Sequence, residues 1–89
     1  MALLLSVLIP SIPQNMTLLA RLVSELERQS KDLPVEVLAL IDNKKRTIGA
    51  KRNALMEQAQ GKFIVFVDDD DRVETDFVQS LVGEIQRNP

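Results

Sequence analysis

The chain has 89 residues, 45% of them hydrophobic and 27% charged, with a formal net charge of −2. That length suits one small domain, and the composition is that of an ordinary globular chain, neither disordered nor membrane-spanning. With no cysteine and no histidine, disulfides, thiolate metal sites, zinc chemistry and Ser-His-Asp or Cys-His catalysis are excluded. Carboxylate oxygen remains as a metal ligand, and it suits magnesium, calcium or manganese.

Ala2 to Ile9 is an apolar run interrupted only by Ser6 and ended by Pro10. It is far shorter than the roughly 20 residues that span a bilayer. It also lacks the basic start of a secretory leader, so a cytoplasmic location is expected. A short continuous apolar run predicts a strand buried on both faces, hence the central strand of a sheet. From Met16 to Ser30, Leu18, Leu19, Leu22, Val23 and Leu26 recur at helical spacing opposite Arg21, Glu25 and Arg28, which predicts an amphipathic helix capped by Asn15 or Thr17. After Pro34, Val35 to Ile41 predicts a second strand. Ala50 to Gln60 favours helix, with Ala50, Ala54, Leu55 and Ala59 as a small-residue face and Gly61 as its stop. Phe63 to Val67 predicts a third, short strand. Phe77, Val78, Leu81, Val82 and Ile85 predict a last helix, capped by Thr75 and running to Asn88-Pro89.

Strands alternating with helices imply an α/β fold, three-layered and Rossmann-like, with parallel strands joined by right-handed crossovers. All three strands then point one way, and the segments after them (10–15, 42–49 and 68–73) leave at one edge, where open α/β sheets bind ligands. That edge collects two opposite charge blocks. Lys44, Lys45, Arg46, Lys51 and Arg52 lie near the start of the second helix; Asp68 to Asp71, Glu74 and Asp76 follow the third strand.

Four adjacent aspartates repel one another, and a divalent cation relieves that repulsion. In an extended segment Asp68 and Asp70 point to one side and Asp69 to the other, so Asp68 and Asp70 are the candidate metal ligands, for Mn2+ or Mg2+. The competing account is a solvated loop that complements the dipole of the following helix. The basic block is either solvated surface or, with Gly49 at a helix N-terminus and Arg52 one turn in, an anion site fitted to a diphosphate. Asp42, ending the second strand, is placed to accept from a base N–H or a ribose hydroxyl, or serves only as a turn former. No Walker phosphate-loop sequence is present.

The series Ser6-Val7-Leu8-Ile9-Pro10-Ser11, Val35 to Asp42, Ile48-Gly49-Ala50-Lys51-Arg52-Asn53-Ala54-Leu55 and Gly61-Lys62-Phe63-Ile64-Val65-Phe66-Val67-Asp68-Asp69-Asp70-Asp71 resembles the nucleotide-binding half of family 2 inverting glycosyltransferases of the GT-A fold. The resemblance implies a UDP-linked or similar nucleotide-sugar donor across the carboxyl edge. It places Pro10 and Ser11 beside the base, Asp42 on the base, Arg52 near the nucleotide, Asp68 near ribose or metal, and Asp70 on the metal.

Only six residues separate Asp42 from Gly49, where the family usually has a further strand, so the resemblance implies a truncated GT-A domain with sheet order 2-1-3. In the resembled enzymes the acceptor half and the catalytic base lie beyond the position that Pro89 matches, so these 89 residues by themselves are expected to bind donor without full activity. The third strand becomes an apolar edge, from which a homo-oligomer is expected. Two other readings remain: a structural or oligomerisation module with the fold but no ligand, and a magnesium-dependent phosphotransfer or nuclease domain. The latter needs acids after the first strand, where Pro10-Ser11 stand. The modest net charge and the three aromatic residues, all Phe, argue against nucleic acid as a partner.

Overall fold

The computed structural model describes residues 2–43 and 46–87. Strands and helices alternate as β1 (Leu5–Ser11), α1 (Met16–Ser30), β2 (Val35–Ile41), α2 (Ile48–Gln58), β3 (Phe63–Phe66) and α3 (Phe77–Arg87), with one 3-10 turn, Pro13–Asn15, ahead of α1. The strands are parallel in the order β2-β1-β3. β1, the most apolar segment, is buried along its whole length in the middle of the sheet. Lys44, Lys45, Asn88 and Pro89, which belong to the basic block and the predicted end of the last helix, lie outside the described residues.

The two faces of β1 serve different layers. Leu5, Val7 and Ile9 join Leu19, Leu22 and Leu26 of α1 and Val78 and Val82 of α3 in one core. Ser6 and Leu8 alternate to the other face, where α2 packs on β1 and β2 and buries Leu55. The chain moves from β1 to β2 in one direction and from β2 across β1 to β3 in the other, so right-handed crossovers put α1 and α2 on opposite faces of the sheet.

Several local expectations are corrected. β1 does not end at Pro10 but runs through it to Ser11. Proline lacks an N–H, but the residue is placed where none is needed. Leu8 C=O accepts from Val67 N–H, and the two-residue period turns Pro10 to the same side, where β3 has already stopped at Phe66. α2 starts earlier than predicted because Thr47 Oγ accepts from Ala50 N–H and caps it.

Gly61 does not stop α2, which closes at Ala59 in an extended conformation. Its role is close approach: a Cβ there would lie 2.6 Å from both the nitrogen and the Oγ of Ser6. Gly61 N–H donates to Ser6 Oγ at 2.8 Å, Ser6 Oγ donates to a Glu36 carboxylate oxygen, and that oxygen also accepts from Gln60 N–H. This polar knot ties the starts of all three strands.

Neither proposed cap of α1 works as one, since Asn15 occupies the cap position without a capping hydrogen bond and Thr17 is already inside the helix. Thr75 lies two residues before α3, and Val78 N–H of α3 is taken instead by Gln29 Oε1 of α1 at 2.9 Å. Gln29 Nε2 also donates to Glu74 C=O at 2.8 Å, so one amide bridges the two helices on the shared face. No helix among the described residues is long and apolar enough to cross a membrane.

Gly61→Ala forces its new methyl into the backbone of β1, and overpacking of this kind costs about 1–3 kcal/mol. Urea denaturation should show that loss, whereas Gly83→Ala, whose added Cβ meets nothing within 4 Å, should leave stability unchanged or raise it.

Candidate functional site

β1, β2 and β3 end at Ser11, Ile41 and Phe66, so the residues that directly follow each strand lie at one edge of the parallel sheet. The aspartate run does not continue as a strand. Asp71 N–H donates to Asp68 C=O at 3.0 Å, which closes a turn with Asp69 and Asp70 at its corner. Asp68 N–H in return donates to Asp71 Oδ2 at 3.3 Å. The fold-back brings one carboxylate oxygen from each of Asp68, Asp70 and Asp71 within 4.8 Å of one another, all on exposed residues. Three hard oxygen donors so close fit a magnesium or manganese ion that keeps positions for water or phosphate. Asp71 belongs to this group because the chain turns, which an extended reading of the segment misses.

Asp69 goes the other way. Its side chain is buried at 9% exposure. It accepts from Ser11 Oγ at 2.7 Å and from Asn15 Nδ2 at 3.0 and 3.2 Å. Asn15 is therefore engaged here rather than in capping α1. Charged acceptors of this kind make short, strong hydrogen bonds, and these two donors come from the end of β1 and the 3-10 turn.

A cavity of about 200 Å³ lies between the acidic turn and the start of α2, walled by Ser11, Asn15, Lys51, Asp68, Asp69 and Asp70. Pro10 borders it as well. Lys51 is only 5% exposed, and its Nζ donates to Ser11 C=O at 3.1 Å. The same carbonyl accepts from Asp42 N–H at 3.1 Å, which sets the backbone of Asp42 beside Ser11. The Asp42 carboxylate accepts from Arg46 N–H at 3.2 Å and pairs with Arg46 Nε at 3.4 Å.

Arg52 does not line the cavity. Its guanidinium lies over the Phe66 ring, 5.2 Å from the centroid, two residues ahead of Asp68. Of the expected site residues, then, Pro10, Ser11, Asp68 and Asp70 are brought to one cavity, Asp42 is hydrogen-bonded through its backbone to Ser11, and Arg52 is turned to Phe66 instead. Asn15, Asp69 and Asp71 were not assigned to the site from the sequence, and Lys51 was named only within the basic block. Lys51 was detectable by helical phase, since it stands four residues before the buried Leu55. A larger concavity of about 310 Å³ flanks the turn on the α1 side. Besides Asp69, Asp70 and Asp71 it is lined by Glu25 of α1, which is already committed: hydrogen bonds from Arg28 and then Gln29 hold its pKa down at about 2.

Removing the Asp69 carboxylate by Asp69→Ala takes the acceptor from the Asn15 amide and leaves Ser11 Oγ only its long contact with Ile12 C=O at 3.4 Å, which should cost about 1–3 kcal/mol. Manganese affinity, read by electron paramagnetic resonance, should fall as well, because Asp68, Asp70 and Asp71 lose the anchor of their turn.

The family model described as glycosyl transferase family 2 matches residues 21–89. No curated protein and no solved structure matches the chain. The matched stretch includes β2, α2 with Lys51 and Arg52, β3, the whole acidic turn and α3. It covers most of the chain, and on that ground the chain belongs to the family 2 glycosyltransferases.

Proposed function

We propose that the carboxyl edge of this sheet binds a nucleoside diphosphate sugar, UDP-linked, together with Mn2+ or Mg2+. The observation that carries the reading is the convergence of Asp68, Asp70 and Asp71 beside the cavity at the strand ends, in a chain of this family. Asp68 and Asp70, joined by Asp71, would hold the cation. Bound there, it supplies positive charge to the diphosphate leaving group. Pro10 and Ser11 border the base and ribose from the end of β1. Asp42 reaches the nucleotide from beside Ser11, and Arg52 from its position over Phe66.

Calorimetric titration of the chain with UDP in the presence of manganese tests this reading. Binding is expected, with Asp70→Ala weakening it at least tenfold. Absence of heat with the wild-type chain, and no effect of the substitution, would favour a structural module that keeps the fold without the ligand.

We propose in addition that β3 pairs with a second copy. It is a sheet edge with no charged residue between Phe63 and Phe66, and Ile64 on it is 41% exposed. Unpaired apolar edges template strand addition. Light scattering at high concentration should report a dimer or larger species, and Ile64→Lys should shift it to monomer. A monodisperse wild-type monomer would contradict the pairing.

A further inference from the structure

We infer that Lys51 is the cation that meets the phosphates at this edge; the inference rests on the nucleotide-sugar reading above and assigns a residue within it. Lys51 is 5% exposed. An ammonium withdrawn from water is costly unless opposite charge and hydrogen-bond acceptors replace the lost hydration. Of its three N–H donors, one is met by the neutral carbonyl of Ser11 at 3.1 Å. Among the described residues no carboxylate lies within 4 Å of it. That is notable beside four aspartates, and the reason is visible. Asp69 is turned to Ser11 and Asn15, while Asp68, Asp70 and Asp71 are grouped with one another.

Lys51 thus forms one wall of the cavity, and Asp68 and Asp70 stand on another. The first turn of α2 reaches the same space through Ile48, adding the positive end of the helix dipole. A diphosphate entering with its divalent cation would meet metal on the acidic side and the two uncommitted N–H groups of Lys51 on the other. Ser11 joins the two sides. Its carbonyl fixes Lys51 Nζ, and its hydroxyl fixes Asp69 and so the acidic turn. Arg52, although adjacent in sequence, is directed to Phe66.

The test uses calorimetry with two probes, UDP and inorganic pyrophosphate, each in excess magnesium, on the wild-type chain and on Lys51→Met, Lys51→Arg and Arg52→Met. Thermal melts establish that each variant is folded, and manganese binding without any phosphate is measured separately. Lys51→Met should weaken both probes about tenfold or more. Lys51→Arg should recover part of that loss, Arg52→Met should weaken pyrophosphate by less than Lys51→Met does, and manganese affinity without phosphate should not fall in Lys51→Met. A folded Lys51→Met that binds UDP within about twofold of wild type overturns the assignment and leaves the nucleotide-sugar reading standing. Wild-type binding of pyrophosphate but not UDP, lost in Lys51→Met, upholds the lysine and removes the nucleotide. A wild-type chain that binds neither probe overturns both.

Discussion

The carboxylate of Asp69, buried and held by Ser11 Oγ and the Asn15 amide, is the constraint on which the rest of the site depends. Four consecutive aspartates on a free loop would spread apart to reduce their repulsion. Drawing one of them inward between β1 and the 3-10 turn fixes the corner of the turn, and the backbone bond from Asp71 to Asp68 closes it. The other three carboxylates are then held on the outer side, close enough to share an ion. The acidic patch is therefore a consequence of tertiary contacts made by residues far away in sequence, not of composition alone.

A chain of this size has a limited core, and two further polar junctions complete its definition. At the opposite end of the sheet, Ser6, Glu36 and the amides of Gln60 and Gly61 link all three strands, and their parallel register places the strand ends side by side. On the α1 and α3 face, Gln29 satisfies the Val78 amide and the Glu74 carbonyl. The segment between the acidic turn and α3 is held by this amide at one end and by Asp69 at the other. Apolar burial supplies the cohesion here, and the polar junctions supply the geometry.

Much of the architecture was legible in the sequence. α1 and β2 have the bounds that their hydrophobic period and flanking proline suggest, and the apolar continuity of β1 predicts its central position. The ordered series of motifs was enough to point to the family that the matched model supports. The errors share a cause: a local rule overridden by a tertiary contact. Pro10 looks like a strand end until β3 is seen to be shorter than β1. Gly61 looks like a helix stop until Ser6 is seen pressed against it. Asn15 looks like a cap until Asp69 claims it. At the site, strand alternation separates Asp69 from Asp68 and Asp70 for the wrong reason and omits Asp71. In the pair Lys51-Arg52, motif resemblance favours the arginine, whereas helical phase alongside Leu55 buries the lysine.

The central claim is that the turn anchored by Asp69 presents a metal and diphosphate site across from Lys51 at the carboxyl edge of the sheet. Paramagnetic broadening of backbone amide signals by manganese in the presence of UDP tests it most directly. The account predicts broadening centred on residues 68–71 that extends to Ser11 and to the first turn of α2. The amides of Gln60, Gly61 and the C-terminal half of α3 should stay sharp. Broadening centred on any other face of the molecule, or spread evenly over the surface acids, would contradict it.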